Sequence, residues 1–265
     1  MQFRYLHQVR ARNPLVHCIT NIVVTQFSAN GLLAIGASPF MSTMAEEAED
    51  IQHFAQALLI NIGTINRSDV EAMLVAGKAA NRVGIPVVLD PVGAGVTEYR
   101  RNITRRLLAE IRFSAIRGNA GEMAYLAGVE WQSKGVDAGR GNGDPSEIVH
   151  KVARQYHCIG ALSGATDFIS DGEKIVKIKN GSPLFPQVTG SGCLLGAIIA
   201  AYLGVAAAND RFNAVLEACA AYAVAGECAA QGLDRRSGDF ALELINQLAL
   251  LEDSTICARA EVEYV

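Results

Sequence analysis

Val188-Thr189-Gly190-Ser191-Gly192-Cys193-Leu194-Leu195-Gly196 joins a turn of small residues to a long apolar run, Leu194 to Val205. The pattern reads as a loop opening onto a helix N-terminus. The first N–H groups of a helix lack intrahelical partners, and the positive end of its dipole lies there. Such a terminus suits an anion, phosphate above all. Gly190 and Gly192 let the backbone approach without Cβ obstruction, and Cys193 falls in the first helical turn, where a catalytic group would be carried. A glycine turn without a ligand is the competing reading. Gly190, Gly192 and Gly196 also spell G-x-G-x-x-G, but a dinucleotide turn requires a preceding strand and an acidic residue about 20 residues on. Here Ser182-Pro183-Leu184-Phe185-Pro186-Gln187 precedes, and its two prolines argue against a central strand. Asp210 has the right spacing but falls in Ala208-Asn209-Asp210, between two helical patterns.

Working outward, short β-like runs alternate with helical ones. Leu15 to Ile19, Ala57 to Ile62, Ile85 to Asp90, Ala115 to Arg117 and Gly160 to Ser163 read as buried strands. Helical patterns cover Val23 to Ile35 and Val70 to Arg82. Continuously apolar strands separated by helices imply an α/β fold, a mostly parallel central sheet with helices on both faces. Ser170-Asp171-Gly172-Glu173 is a hairpin turn within Asp167 to Lys179. Beyond it the chain is mainly helical, over Leu194 to Val205, Ala214 to Ala230 and Phe240 to Leu250. Gly139 to Pro145 is the most loop-like segment, leading into a helix with Asp144 as N-cap and Pro145 in its first position. No linker or repeat divides the chain, so a single domain over residues 1–265 is expected.

Composition narrows the function. Half of the 265 residues are hydrophobic, 19% are charged, and the net charge is −4. That balance provides a large core and argues against a nucleic-acid or anionic-membrane partner. The six cysteines form no C-x-x-C pair, and with five ungrouped histidines they suggest no zinc site. Reduced thiols in a cytoplasmic protein are expected. The N-terminus has no signal-peptide pattern, and the longest apolar run falls short of the ~18 residues of a membrane span.

Ligands of open α/β sheets bind outside the carboxyl ends of the strands. Asn21, Asn61 with Gly63-Thr64, Asp90, Arg117 with Asn119 and Glu122, and Ser163-Gly164 all fall at that expected edge. Asp90 before Pro91 reads either as an Asx turn or as a carboxylate facing a magnesium shell, which takes one or two carboxylates plus phosphates. Glu122 is a candidate second carboxylate, or a first-turn glutamate favoured by the helix dipole. Arg117 could neutralise a transferring phosphate or simply be solvated. No P-loop and no protein-kinase motif occurs.

Six motifs, in order along nearly the whole chain, resemble the hydroxyethylthiazole kinase family. They are Leu15 to Asn21 (LVHCITN), Ala29 to Met41 (ANGLLAIGASPFM), Leu58 to Thr64 (LLINIGT), Leu89 to Gly95 (LDPVGAG), Ile116 to Glu122 (IRGNAGE) and Val188 to Cys193 (VTGSGC). The resemblance implies a ribokinase-like fold and a homotrimer with active sites between subunits. It implies phosphorylation of 4-methyl-5-(2-hydroxyethyl)thiazole by ATP with Mg²⁺, a salvage step toward thiamine. By motif position it puts Met41, Asn21 and Gly190 on the thiazole, and Arg117, Ser163, Asn119 and Thr189 on ATP. Asp90 and Glu122 would organise magnesium and phosphates. Gly190, Gly192 and Cys193 would form the catalytic turn, in which much of the wider superfamily carries an aspartate base where this chain has cysteine. Ser191 stands where threonine or alanine is expected; another small residue preserves the turn. Three rivals remain: a ribokinase-like kinase for a pyrimidine alcohol or a sugar, a dehydratase repairing hydrated nicotinamide nucleotides, and a non-catalytic binder. Asn21 and Met41 argue against the first, Cys193 against the second, and the set Asp90, Glu122 and Arg117 against the third.

Overall fold

A computed structural model describes residues 3–134, 137–141 and 143–265. The first half runs α1 (Tyr5–Arg12), β1 (Leu15–Ile19), α2 (Thr25–Ala34), β2 (Ser38–Phe40), α3 (Ala45–Ile51), β3 (Ala57–Asn61), α4 (Arg67–Val83), β4 (Val87–Asp90), α5 (Glu98–Glu110), β5 (Ala115–Asn119) and α6 (Ala120–Ala127). Then come β6 (Gln132–Lys134), β7 (Asp137–Arg140), α7 (Pro145–Tyr156), β8 (Ile159–Ser163), β9 (Asp167–Ser170) and β10 (Ile175–Ile178). The chain ends with α8 (Ser191–Val205), α9 (Arg211–Ala230), α10 (Ser237–Leu250), α11 (Asp253–Arg259) and β11 (Val262–Tyr264).

Among the described residues, nine strands form the main sheet in the order β11-β10-β9-β8-β5-β4-β3-β1-β2. From β2 to β8 every pairing is parallel; β9, β10 and β11 extend the sheet antiparallel. The strands of the parallel part are apolar throughout because each serves two cores. Ala57 and Leu59 face the core built with α1, α2, α8 and α9, while Leu58 and Ile60 face the core built with α4, α6 and α7. Val88 and Ala115 likewise oppose Leu89 and Ile116. That is the period-two alternation of a strand covered on both sides. α8 is apolar all round because it lies between the sheet and other helices; Leu194, Leu195 and Ile198 to Leu203 are buried. Among the described residues no helix is long and apolar enough to cross a membrane.

Local chemistry explains where expectation and structure part. α4 starts three residues before Val70 because Asn66 and Asp69 make a reciprocal capping box, and it ends where Gly84 takes φ 82°. The loop expected over Gly139 to Pro145 is corrected in part. Gly139 and Arg140 belong to β7, whose antiparallel pairing with β6 satisfies backbone groups that a glycine-rich loop leaves to water. Asn142 lies outside the described residues. Asp144 caps α7 as expected, its carboxylate accepting from the Ser146 amide, with Pro145 in the first turn.

Candidate active site

Strands β1, β3, β4, β5 and β8 run in one direction, so their carboxyl ends share one edge of the sheet. The residues there form a continuous polar line. Asn21 Nδ2 donates to Asn61 Oδ1 at 2.9 Å and approaches Cys193 Sγ at 3.4 Å. Asn61 Nδ2 donates to Asp90 Oδ2 at 2.8 Å. The same oxygen lies 3.6 Å from Arg117 Nη1, and Arg117 Nη2 donates to Ser163 Oγ. Thus Cys193, Asn21, Asn61, Asp90, Arg117 and Ser163, spread over more than half the chain, meet at one place.

Glu122 sits beside this line. Asn119, the N-cap of α6, accepts from the Glu122 amide through Oδ1 at 3.0 Å, and its own amide donates to Glu122 Oε2 at 2.8 Å. Glu122 Oε1 accepts from the Gly93 amide at 2.9 Å. Each carboxylate oxygen therefore has one lone pair engaged and one left. The Asn119 side-chain oxygen is committed to the cap.

The glycine turn closes the site from above. Gly190 is the N-cap of α8 with φ 90°, and no side chain caps the helix. A Cβ on Gly190 would come 2.5 Å from Val24 Cγ1, and one on Gly192 would come 2.7 Å from both Arg117 Nη atoms. The turn is held from behind. Ser191 Oγ donates to the Phe185 carbonyl at 2.8 Å, Tyr222 Oη donates to the Ser191 carbonyl at 2.6 Å, and the Phe185 and Tyr222 rings stack at 5.0 Å. Thr189 is exposed at its rim. The residues before the turn form a short 3-10 segment, Phe185–Gln187, rather than the strand a dinucleotide motif needs.

Met41 leaves β2 at the same edge at which Asn21 follows β1. Its loop is fixed by buried His17. Gln52 Nε2 lies 2.6 Å from His17 Nδ1, so Nδ1 accepts and Nε2 donates to the Ser42 carbonyl at 3.1 Å. Burial pulls the His17 imidazole down to about 4, keeping it neutral.

Burial, opposed by Arg117, lifts Asp90 to about 6. Burial and then the Asp90 charge lift Glu122 to about 7. The same two causes push the Cys193 thiol up to about 12, so it is protonated at neutral pH. Two groups of opposite sign are left short of partners: Asp90 Oδ1 and Arg117 Nε are buried and unbonded. A buried ion pair with orphaned atoms is poor for stability. It suits a charged ligand bringing both a cation and an anion. Among the described residues no three His, Cys, Asp or Glu side chains form a metal cage. A cation here would rest on the two carboxylates and on ligand oxygens, as Mg²⁺ does beside phosphates.

Three contributors escaped the sequence reading. Arg100 bonds the loops after β3 and β4, Tyr222 supports the glycine turn, and Asp167 Oδ1 accepts from the Gly164 amide at 2.9 Å next to Ser163. None lies in a recognisable motif, and only the folded topology brings them in.

The fold and this site define a small-molecule kinase of the ribokinase-like class. A pyridoxal kinase from Staphylococcus aureus, solved with AMP-PCP and pyridoxal, shares the fold with TM-score 0.59 over 78% of this chain and 85% of that one at 15% identity. The hydroxyethylthiazole kinase of Actinobacillus succinogenes is 62% identical over 99% of this chain and 98% of its own length. The solved hydroxyethylthiazole kinase protein of Pyrococcus horikoshii OT3 superposes with TM-score 0.88 at 33% identity, over 98% of this chain and 97% of that one. The model of the hydroxyethylthiazole kinase family matches residues 6–254. The chain belongs to that family, and it is an enzyme, a phosphotransferase with an alcohol acceptor.

Proposed function

We propose that the enzyme transfers the γ-phosphoryl group of ATP to the primary alcohol of 4-methyl-5-(2-hydroxyethyl)thiazole, with Mg²⁺, giving thiazole phosphate for thiamine salvage in the cytoplasm. Residues 1–265 act as one domain. The observation that carries the reading is the pair of orphaned buried groups, Asp90 Oδ1 and Arg117 Nε, opposite the uncapped start of α8. A magnesium nucleotide supplies a cation for the first and phosphate oxygens for the second.

Phosphoryl transfer asks for positioning and charge stabilisation more than for covalent chemistry. The amides of Gly192 and Cys193 point their donors at the transferring group, and Arg117, braced by Asp90 and Ser163, spreads its charge. Asn119 and Thr189 flank the nucleotide from the α6 cap and the rim of the turn. Asp90 and Glu122 would hold Mg²⁺ through their remaining lone pairs, and the ion would supply neutralisation of phosphate charge. Asn21, Met41 and Gly190 line the thiazole side. The Cys193 thiol, neutral and beside Asn21, orients the attacking hydroxyl. With little bond formation at the transition state, the hydroxyl proton leaves late, to an oxygen of the transferred phosphoryl group, as the bond to the ADP oxygen breaks, and a strong base is not required. The exposed apolar residues near Asn21 and Met41 in the chain, Ile22, Val23 and Met44, support a homotrimer that completes the thiazole side.

The test is direct. Purified protein is incubated with Mg²⁺, ATP and the thiazole alcohol, and products are followed by mass spectrometry. Equal amounts of ADP and thiazole phosphate support the reading. ADP without phosphorylated thiazole transfers the assignment to another acceptor.

A further inference from the structure

Two loops leave the sheet beside the carboxylates, one after β3 and one after β4. Arg100, in the first turn of α5, reaches both. Its Nη1 donates to the Ile62 carbonyl at 2.6 Å and to the Val92 carbonyl at 2.8 Å, and its Nη2 donates to the Gly63 carbonyl. The first two carbonyls have a common property. Ile62 C=O belongs to the same peptide unit as the Gly63 N–H, and Val92 C=O to the same unit as the Gly93 N–H. A trans peptide is planar, with its C=O and N–H pointing in opposite directions, so holding one aims the other.

Both aimed N–H groups act on the site. Gly63 N–H donates to Asn61 Oδ1 at 2.9 Å. That fixes which end of the Asn61 amide accepts and turns Nδ2 toward Asp90 Oδ2. Gly93 N–H donates to Glu122 Oε1. One half-buried guanidinium therefore sets the peptide planes that orient both carboxylates, without touching either. Thr97 places Arg100 by capping α5, its hydroxyl accepting from the Arg100 amide at 3.2 Å.

We propose that Arg100 is the positioning residue of this active site, aligning Asp90 and Glu122 through the Ile62–Gly63 and Val92–Gly93 peptide planes. The inference rests on the phosphotransfer reading of those carboxylates. Lysine keeps the charge but has a single nitrogen and no planar fork.

Arg100→Lys and Arg100→Ala are compared with wild type and with Arg106→Ala, which alters an exposed ion pair on the same helix. Three readouts are taken: kcat with its Mg²⁺ dependence, rescue by added guanidinium, and amide exchange by NMR. In both Arg100 variants kcat falls about 10- to 100-fold, the scale of a misplacement near 1 Å. The Mg²⁺ concentration for half activation rises, and guanidinium restores part of the Arg100→Ala activity. Exchange speeds up at the Gly63 and Gly93 amides, while the Leu58 amide in β3 stays protected; Arg106→Ala changes nothing. Should the alanine variant not fold, the lysine variant gives the same exchange and Mg²⁺ readouts. Unchanged protection at both glycine amides overturns the proposal, as does a kcat loss with unaltered Mg²⁺ dependence and no guanidinium response. Absence of thiazole phosphorylation in wild type overturns the functional reading instead, and the amide exchange still decides the role of Arg100.

Discussion

Cys193 is the third residue of α8, within reach of Asn21 and under the field of Asp90. Both burial and Asp90 oppose a thiolate, so the group acts as a neutral hydrogen-bonding thiol. Cys193→Ser is expected to lower kcat by about ten-fold and leave ATP binding intact. That is less than the ~10²–10⁴-fold a positioned base contributes. Steady-state kinetics across pH decide: a wild-type limb that rises through the thiol range and vanishes in the serine variant would make Cys193 a base. Gly192 makes a sharper case, because a methyl group there meets the Arg117 guanidinium at 2.7 Å. Alanine stabilises a helix over glycine by ~1 kcal/mol, so Gly192→Ala should keep its melting temperature. Displacing Arg117 should cost at least about ten-fold in kcat/KM for ATP. A melting temperature that drops with unchanged kinetics would mean that the packing yields elsewhere.

At the scale of elements, α6 does two tasks with one glutamate. Glu122 closes the capping box with Asn119 and holds Gly93, yet it is buried near a second carboxylate. Its carboxyl is lifted from an ordinary 4.5 to about 7, so the folded state holds the proton more tightly than the unfolded state between those values. Stability then falls as pH rises through that window, the reverse of an ordinary salt-bridged acid. Asp90 and Asp167, each lifted to about 6, act in the same direction. Glu122→Gln should melt lower near pH 5, since one backbone N–H loses its acceptor, at ~1–3 kcal/mol. From there to about pH 7 its melting temperature should decline less steeply than that of wild type, which closes the gap. Parallel slopes in scanning calorimetry would remove Glu122 as the source. The cap itself was readable in the sequence as a first-turn glutamate, and the buried strands were readable because each residue faces one core or the other. α5 was not: only Thr104 and Leu107 of its residues are buried, so it shows no apolar stripe. β2 is a three-residue edge strand, too short to display a period. Nor could spacing reveal that Asn21, Asn61 and Asp90 are bonded neighbours, because strand order alone brings them together.

Across the whole molecule, the unbalanced feature is an apolar rim on the β2 side of the sheet. Ile22, Val23 and Met44 are 83%, 63% and 57% exposed, and each lies within three residues of Asn21 or Met41 in the chain. β2 is also a sheet edge, which proteins commonly cover or blunt. In the trimer proposed above, a second copy of the chain seats on this rim, removes the exposed apolar surface and encloses the proposed thiazole side, leaving Arg117 and Ser163 within one subunit. The two halves of the reaction then respond differently to dissociation. Met44→Glu places a charge in the rim without touching the polar line from Cys193 to Ser163. Sedimentation should show wild type as a trimer and the variant as a monomer. KM for the thiazole alcohol should rise by about ten-fold or more, the scale of losing one well-packed apolar contact or more. KM for ATP should stay near its wild-type value. A variant that remains trimeric locates the interface elsewhere, and a monomer with unchanged KM for the alcohol shows that one subunit suffices to bind it.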